Sequence, residues 1–509
     1  MKIFNNKSIC LTLAALLVIS TGCEKFLDTE RQGEYTTENY PYPGGAGPYD
    51  TYLFGAFSDL RNYDVHVFGF LLATSIRSDD ADKGSTAGDG GADVISMDNF
   101  PVIPNNGIIN GMWTGYYNLI AKCNIALDQI KNNTAIVATD AQKKQAEAEA
   151  RFMRGYAYFN MVRFFGRVPL IDKILAVNQL NVPQSTPVQL YAFIEEDLKF
   201  AAANLPASWD PKFIGRLTSG AANGILAKVY LTQQKWSLAM MAANSVIMGG
   251  QYNLSTPFNT IFGEAGENSK ESVFEVQATA TATEQTSIGV QTTQFQGVRD
   301  GGIWNLGFGF NVPNNILEAA FEPGDPRLER TFLRRSTATV TYKTVYGENT
   351  ATTWQNPAYN HKVYVNQAFR SKYGSDSGHW MNLRILRYAD VVLMYAEAAN
   401  ELGGAANATL ALTSLNSVRA RTRGGNAVLL PNVTTTVQSD LRAAIRRERR
   451  VELAMEYDRF FDLVRWGQSQ NALSAAGKTN FNATRDNLLP IPQPQIDLSK
   501  GVLTQNSGY

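Results

Sequence analysis

Residues 219–248 read SGAANGILAKVYLTQQKWSLAMMAANSVIM. Ala227 and Tyr230 precede the QQK break, and Trp236, Ala239 and Ala243 follow it, at the three- and four-residue steps of helices that each bury one face. Small residues on both stripes let two helix axes approach closely, and the aromatic rings fill the space that remains. The stretch therefore predicts a packed helical pair.

The same spacing is that of a tetratricopeptide unit. It recurs in 148–165 with 190–204 as partner, and in 388–402 with 408–421 as partner. Helical periodicity begins near Tyr52 and is strong over 113–131, 140–165, 187–204, 218–234 and 235–248, with Gly and Pro between the segments. Residues 75–111, with RSDDADKGSTAGDGG at 77–91, read as loop-rich. The pairs are too divergent and interrupted for a regular solenoid. The expected fold class is mainly α, with tetratricopeptide-like helix pairs forming a scaffold that carries a large loop-rich insertion containing a few short strands. That insertion, 251–381, is rich in Gly, Thr, Asn, Gln and aromatics, among them Trp304, Phe308, Phe310, Tyr346, Trp354, Tyr364 and Trp380. Runs at 272–277 and 362–365 read as strands. Loops held on a rigid scaffold are where binding residues concentrate, so the insertion is the place to expect a ligand.

The N-terminus carries an address. Lys2 and Lys7 precede an apolar run from Ile9 to Ile19, and Ser20, Thr21 and Gly22 lead to Cys23. This is a signal peptide pattern, and the run is shorter than the ~18 residues a spanning helix needs. Small residues before a cysteine resemble a bacterial lipobox, although Ser20 stands where Leu is usual. The expected organisation is a signal at 1–22, a lipidated tether at 23–48 anchored through Cys23, and one body at 49–509. Its parts are a helical portion to about 250, the insertion at 251–381, and a C-terminal helix pair with an extended tail at 382–509. Two or more acyl chains hold a protein stably on a membrane.

Charge and cysteine content exclude several classes. Lys plus Arg number 46 and Asp plus Glu 46, and removing Lys2 and Lys7 with the signal leaves 44 against 46, about −2. No basic footprint for nucleic acid exists. Cys10 and Cys23 fall in the leader and lipid site, so Cys123 has no disulfide partner and reads as a small buried hydrophobe. Only three histidines occur, His66, His361 and His379, with no paired-His zinc pattern, nucleophile elbow, phosphate loop or dinucleotide fingerprint. A carboxylate pair ~5 to 9 Å apart could still cleave a glycosidic bond, and sequence alone leaves that open. Binding without turnover is favoured, with no cofactor.

Five further strings carry a family resemblance: EARFMRGYAYFNMVRFFGRVPL (149–170), NLRILRYADVVLMYAEAANELG (382–403), LNSVRART (415–422), IRRERRVELAMEYDRFFDLVRWG (445–467), and the ending from LLPIPQ (488–493) to QNSGY (505–509). With EKFLD after Cys23, their order and spacing resemble the SusD/RagB family. The resemblance implies a lipid-anchored, surface-exposed protein of the outer membrane. It implies ligands captured outside the cell, usually glycans and in some members peptides, and a SusC-like TonB-dependent transporter as partner.

Most motif residues read as structural. Glu448, Glu452 and Glu456 recur every four residues, a stripe of like charge that needs cations against it. Arg446, Arg449, Arg450 and Arg459, or Arg384, Arg387, Arg419 and Arg421, can supply them. Trp113, Tyr116 and Tyr117 read as core. The segment 487–493, with two prolines, reads as extended over the body.

A glycan site needs a flat aromatic platform beside carboxylate, amide or guanidinium groups. Trp304, Tyr346 and Trp380 each lie next to glycine or in glycine-rich surroundings, which predicts exposed rings in loops. The resemblance adds the segment ahead of the Trp113 helix, with Arg77, Asp79, Asp80 and Asp82, as part of the binding face. Asp79, Asp80, Asp82, Asp89 and Asp93 also raise a calcium reading, without EF-hand spacing, and no metal is expected.

Overall fold

The computed structural model describes residues 47–281, 288–373, 377–426 and 428–509. Cys23, the signal and nearly all of the tether lie outside them.

The scaffold is a run of helices: α1 (Asp50–Leu60), α2 (Gly107–Asn132), α3 (Asp140–Phe165), α4 (Pro187–Asn204), α5 (Ser219–Thr232), α6 (Trp236–Met248), α7 (Tyr388–Leu402), α8 (Ala405–Arg423), α9 (Gln438–Glu452) and α10 (Arg459–Arg465). Their starts are written in the sequence. Thr139 and Thr186 each form a capping box with the Gln three residues on, Pro187 stands in the first turn of α4, and Asn106 and Thr218 accept first-turn amides of α2 and α5.

Each of α2 to α6 packs on the next, and α6 packs on α7, so the array continues across the insertion. The three expected pairs form: α3 with α4, α5 with α6, and α7 with α8. Ala227, Ala239 and Ala243 are fully buried, as small residues at a close helix contact must be. Gly224 is needed on another face of α5, because a Cβ there would meet Leu386 at 2.5 Å. Trp113, Tyr116 and Cys123 lie in the same core, and burial pushes the Cys123 thiol far above its ordinary value. No described helix is long and apolar enough to cross a membrane.

Strands occur as antiparallel pairs: β1 (Ala81–Gly84) with β5 (Phe310–Pro313), β2 (Val168–Pro169) with β3 (Gln184–Ser185), β4 (Ser272–Val276) with β8 (Leu383–Arg387), and β6 (Phe332–Arg334) with β7 (Ala358–Asn360). The expected strand at 272–277 is β4. The expected strand at 362–365 is not one: Asn360 caps a 3-10 turn, His361–Val363, and the chain leaves the ladder there. The segment 75–111 is also more ordered than expected, since it holds β1 and a helix at Gly91–Asn99.

The acidic stripe is fully matched by cations. Glu448 meets Arg327 at 2.6 Å and Arg419 at 2.9 Å, Glu452 meets Arg421 at 2.5 Å, Arg387 at 3.0 Å and Arg327 at 3.1 Å, and Glu456 meets Lys362 at 2.5 Å and Arg387 at 2.6 Å. Burial alone would raise the Glu452 carboxyl, but Arg421, Arg387, Arg327 and Lys362 outweigh it and hold it well below its ordinary value. Arg327 and Lys362 come from the insertion, so the network ties the insertion to α9. The tail packs on the end of α3: Leu489 and Ile491 are fully buried, and the Leu489 amide donates to Phe164 O at 2.7 Å.

Candidate functional site

The insertion projects a short tongue, residues 297–309. Its root is held by main-chain bonds: Leu306 N to Val298 O at 2.9 Å, Phe308 N to Gln294 O at 2.9 Å, and Gly309 N to Gly297 O at 2.9 Å. The approach is so close that a Cβ on Gly307 would meet Gln294 O at 1.9 Å. Gly309 O accepts from Ser85 N at 2.7 Å, and β5 continues the tongue into its pairing with β1. The acidic loop of 79–93 and the tongue are thereby fixed side by side.

Two aromatics of the tongue face opposite ways. Trp304 is 6% exposed and sits in a cluster with Trp354, Tyr359 and Tyr364, its ring 4.8 Å from that of Trp354. Phe308 is 42% exposed and rests edge-on against Phe295, 5.0 Å between centroids. Phe295 in turn stacks on Phe68 at 4.3 Å and carries Tyr63, 45% exposed, at 5.7 Å. Two outward rings thus share one buried support.

Phe308, Phe295, Phe68 and Phe310 line an open cleft of about 750 Å³, with Asp89, Arg299, Asp300, Asn305 and Gln294 as its polar walls. Arg299 Nη1 donates to Ser85 Oγ at 2.7 Å and pairs with Asp89. Asp89 also accepts from Ser85 Oγ at 2.7 Å and Thr86 N at 2.9 Å. The bonds from Thr86 and Ser85, then the Arg299 charge, hold its carboxyl below the usual range. Asp300 Oδ2 accepts from Thr353 Oγ1 at 2.5 Å, while Oδ1 and the remaining Arg299 nitrogens carry no protein hydrogen bond among the described residues. An exposed ring flanked by such donors and acceptors can take the C–H face of a sugar and the hydroxyls around it.

The expected site residues are placed differently. Trp304 is the tongue's internal anchor, and its predicted exposure is corrected: the flanking glycines permit a turn that swings the indole inward. Trp380, 4% exposed, is likewise buried, among Ala280, Val365 and Met381. Tyr346 is exposed at 38%, but it lies beside Tyr364 and Arg330, accepting from Arg330 Nη2 at 3.3 Å, and does not line the cleft.

Arg77, Asp79 and Asp80 are also buried, which corrects their expected place on the binding face. Arg77 lies 4.3 Å over the Phe460 ring and donates to Asp486 O, and burial lowers it to about 10. Asp79 takes both Arg459 Nε and Nη2 at 2.8 Å, and Asp80 takes Arg450 Nε at 2.7 Å. These pairs clamp the segment onto α9 and α10. Asp82 stays exposed, within 3.4 Å of Asn314 Nδ2, and Asp93 accepts the Gly107 amide at the start of α2 at 2.8 Å. Among the described residues no group of His, Cys, Asp and Glu is placed to hold a metal ion.

Residues 270–509 match a family model described as the SusD family, and residues 88–231 match one described as starch-binding, associating with outer membrane. The SusD-like protein P2 of Formosa agariphila is 28% identical, over 89% of this chain and 91% of its own. A SusD-like protein of Bacteroides ovatus is 28% identical, over 92% of this chain and 83% of its own. Among solved structures, a laminarin binding SusD-like protein superposes with a TM-score of 0.75 at 28% identity, covering 91% of this chain and 99% of that one.

Proposed function

Since the chain belongs to the SusD family, we propose that it is a cell-surface glycan-binding lipoprotein that captures oligo- or polysaccharide and passes it to a SusC-like TonB-dependent transporter. The observation that carries this reading is the Phe308 ring, exposed on a braced tongue in a cleft that Arg299 and Asp300 also line. A ring held rigidly loses little freedom on stacking, and the flanking groups orient the sugar without water being excluded from an enclosed pocket. Laminarin binding by a relative of similar fold supports the ligand class. Cys23, after its signal, is the anchor to the outer membrane.

The protein binds without turnover. Asp89, the carboxylate nearest the tongue's arginine, is locked by three groups, Ser85 Oγ, Thr86 N and Arg299, and is held ionised, which suits neither a general acid nor a displaceable nucleophile. Affinity electrophoresis of the detergent-solubilised full chain against plant, host and microbial glycans tests the reading. Retardation by a glycan, weakened in Phe308→Ala, is the expected result. Retardation by none, or new reducing ends during incubation, would overturn it.

A further inference from the structure

We infer that the cleft selects uncharged glycans and rejects polyanionic ones, an inference that rests on the glycan reading of the cleft. Among the described residues three charged ones line it: Asp89, Arg299 and Asp300. An anionic sugar would need Arg299, but that guanidinium is already paired with Asp89, whose own carboxylate is fixed by Ser85 and Thr86. The pair acts as a neutral unit that still offers N–H donors.

Lys83 stands at the wall of the cleft, beside Asp89 and Phe310. Its Nζ donates to Thr86 O at 2.6 Å and Asp89 O at 3.2 Å and lies 5.6 Å from the Phe310 centroid, so main-chain carbonyls already engage its N–H groups. What remains is Asp300. One oxygen is held by Thr353 and the other is free to accept a sugar hydroxyl, and a carboxylate or sulfate brought to the same place meets like charge instead. Gln294 and Asn305, the amides of the wall, serve hydroxyls and carry no charge. The surface between the rings is therefore built for hydroxyl groups on a neutral ring.

The test uses the full chain in detergent with laminarin as neutral probe and polygalacturonate and carrageenan as anionic probes, at 20 and 300 mM salt. Wild type, Asp300→Asn, Asp300→Lys and Phe308→Ala are compared, with unchanged thermal unfolding required of each variant. Laminarin binding should vary less than about twofold with salt and fall at least about tenfold in Phe308→Ala, with both anionic probes bound at least about tenfold more weakly. Asp300→Lys should raise anionic binding in a salt-sensitive way, and Asp300→Asn, which only removes the like charge, should raise it by less. If an anionic probe binds wild type as tightly as laminarin, and Phe308→Ala weakens it, the cleft is a glycan site and the charge inference is wrong. If no probe shows binding that Phe308→Ala weakens, the cleft reading itself fails and the inference with it.

Discussion

Trp304 and Phe308 stand four residues apart on one tongue and face opposite sides: the indole is buried against Trp354 at 4.8 Å, while the phenyl ring is exposed above Phe295 at 5.0 Å. One ring holds the loop and the other meets solvent, and the two should fail differently when removed.

Phe308→Ala should leave the unfolding midpoint unchanged and weaken glycan binding about tenfold, the loss of roughly 1.4 kcal/mol of ring contact. Trp304→Ala should cost about 3–5 kcal/mol of stability, as large-to-small changes in a packed cluster do. Denaturant titration beside affinity electrophoresis separates the two, and a Trp304→Ala protein as stable as wild type would disprove its anchoring role.

Tyr63 touches the same Phe295 ring that supports Phe308, at 5.7 Å between centroids, and is exposed at 45%. Tyr63→Ala should weaken long oligosaccharides several-fold while leaving short ones that cover Phe308 alone within about twofold. Calorimetric titration over a size series reads the difference, and equal losses at all lengths would argue against a second platform.

Glu452 is shared by Arg421, Arg387 and Arg327. Glu452→Gln keeps the shape and removes the charge, leaving three buried guanidinium groups short of a partner, at a cost of about 3 kcal/mol or more. The urea midpoint should fall accordingly, with the cleft's glycan affinity unchanged at temperatures where the variant stays folded.

His66 is fully buried, with Nδ1 2.7 Å from Leu60 O and Nε2 2.7 Å from the Tyr156 hydroxyl. A carbonyl only accepts, so Nδ1 carries the proton. Burial lowers the imidazole to about 4, with the Leu60 bond opposing. The unfolded chain therefore binds a proton that the folded one refuses, and this share of stability is complete above the ordinary value of 6.5 and is lost as pH falls towards 4, at about 1.4 kcal/mol per unit. Imidazole nitrogen shifts should report a neutral ring at pH 5.5, and a protonated signal there would contradict the assignment.

The helical pairs were legible because their signal is local: alanine, tyrosine and tryptophan at helical steps, with Thr–x–x–Gln at the starts. The cations matching the acidic stripe were legible as a class, but Arg327 and Lys362 were not, because they reach Glu448 and Glu456 from the insertion, across roughly a hundred residues. The exposed ring was harder still. Trp304 and Phe308 both stand in glycine-rich surroundings and look alike in sequence. Which of them turns inward depends on the main-chain bonds at the tongue's root and on Gly309, whose φ of 75° redirects the chain into β5. Arg77, Asp79 and Asp80 read as a polar loop, and only the folded chain reveals the Arg459 and Arg450 partners that take them out of solvent.

The root of the tongue is closed by backbone hydrogen bonds and backed by one indole, so its path does not rest on the ties that the side chains of Arg299 and Asp300 add to Asp89 and Thr353. Arg299, Asp300, Asn305 and Phe308 can therefore be exchanged as a cassette. A lineage, or an engineer, could retune what this cleft accepts by rewriting those positions while the helical array and its ionic network stay as they are.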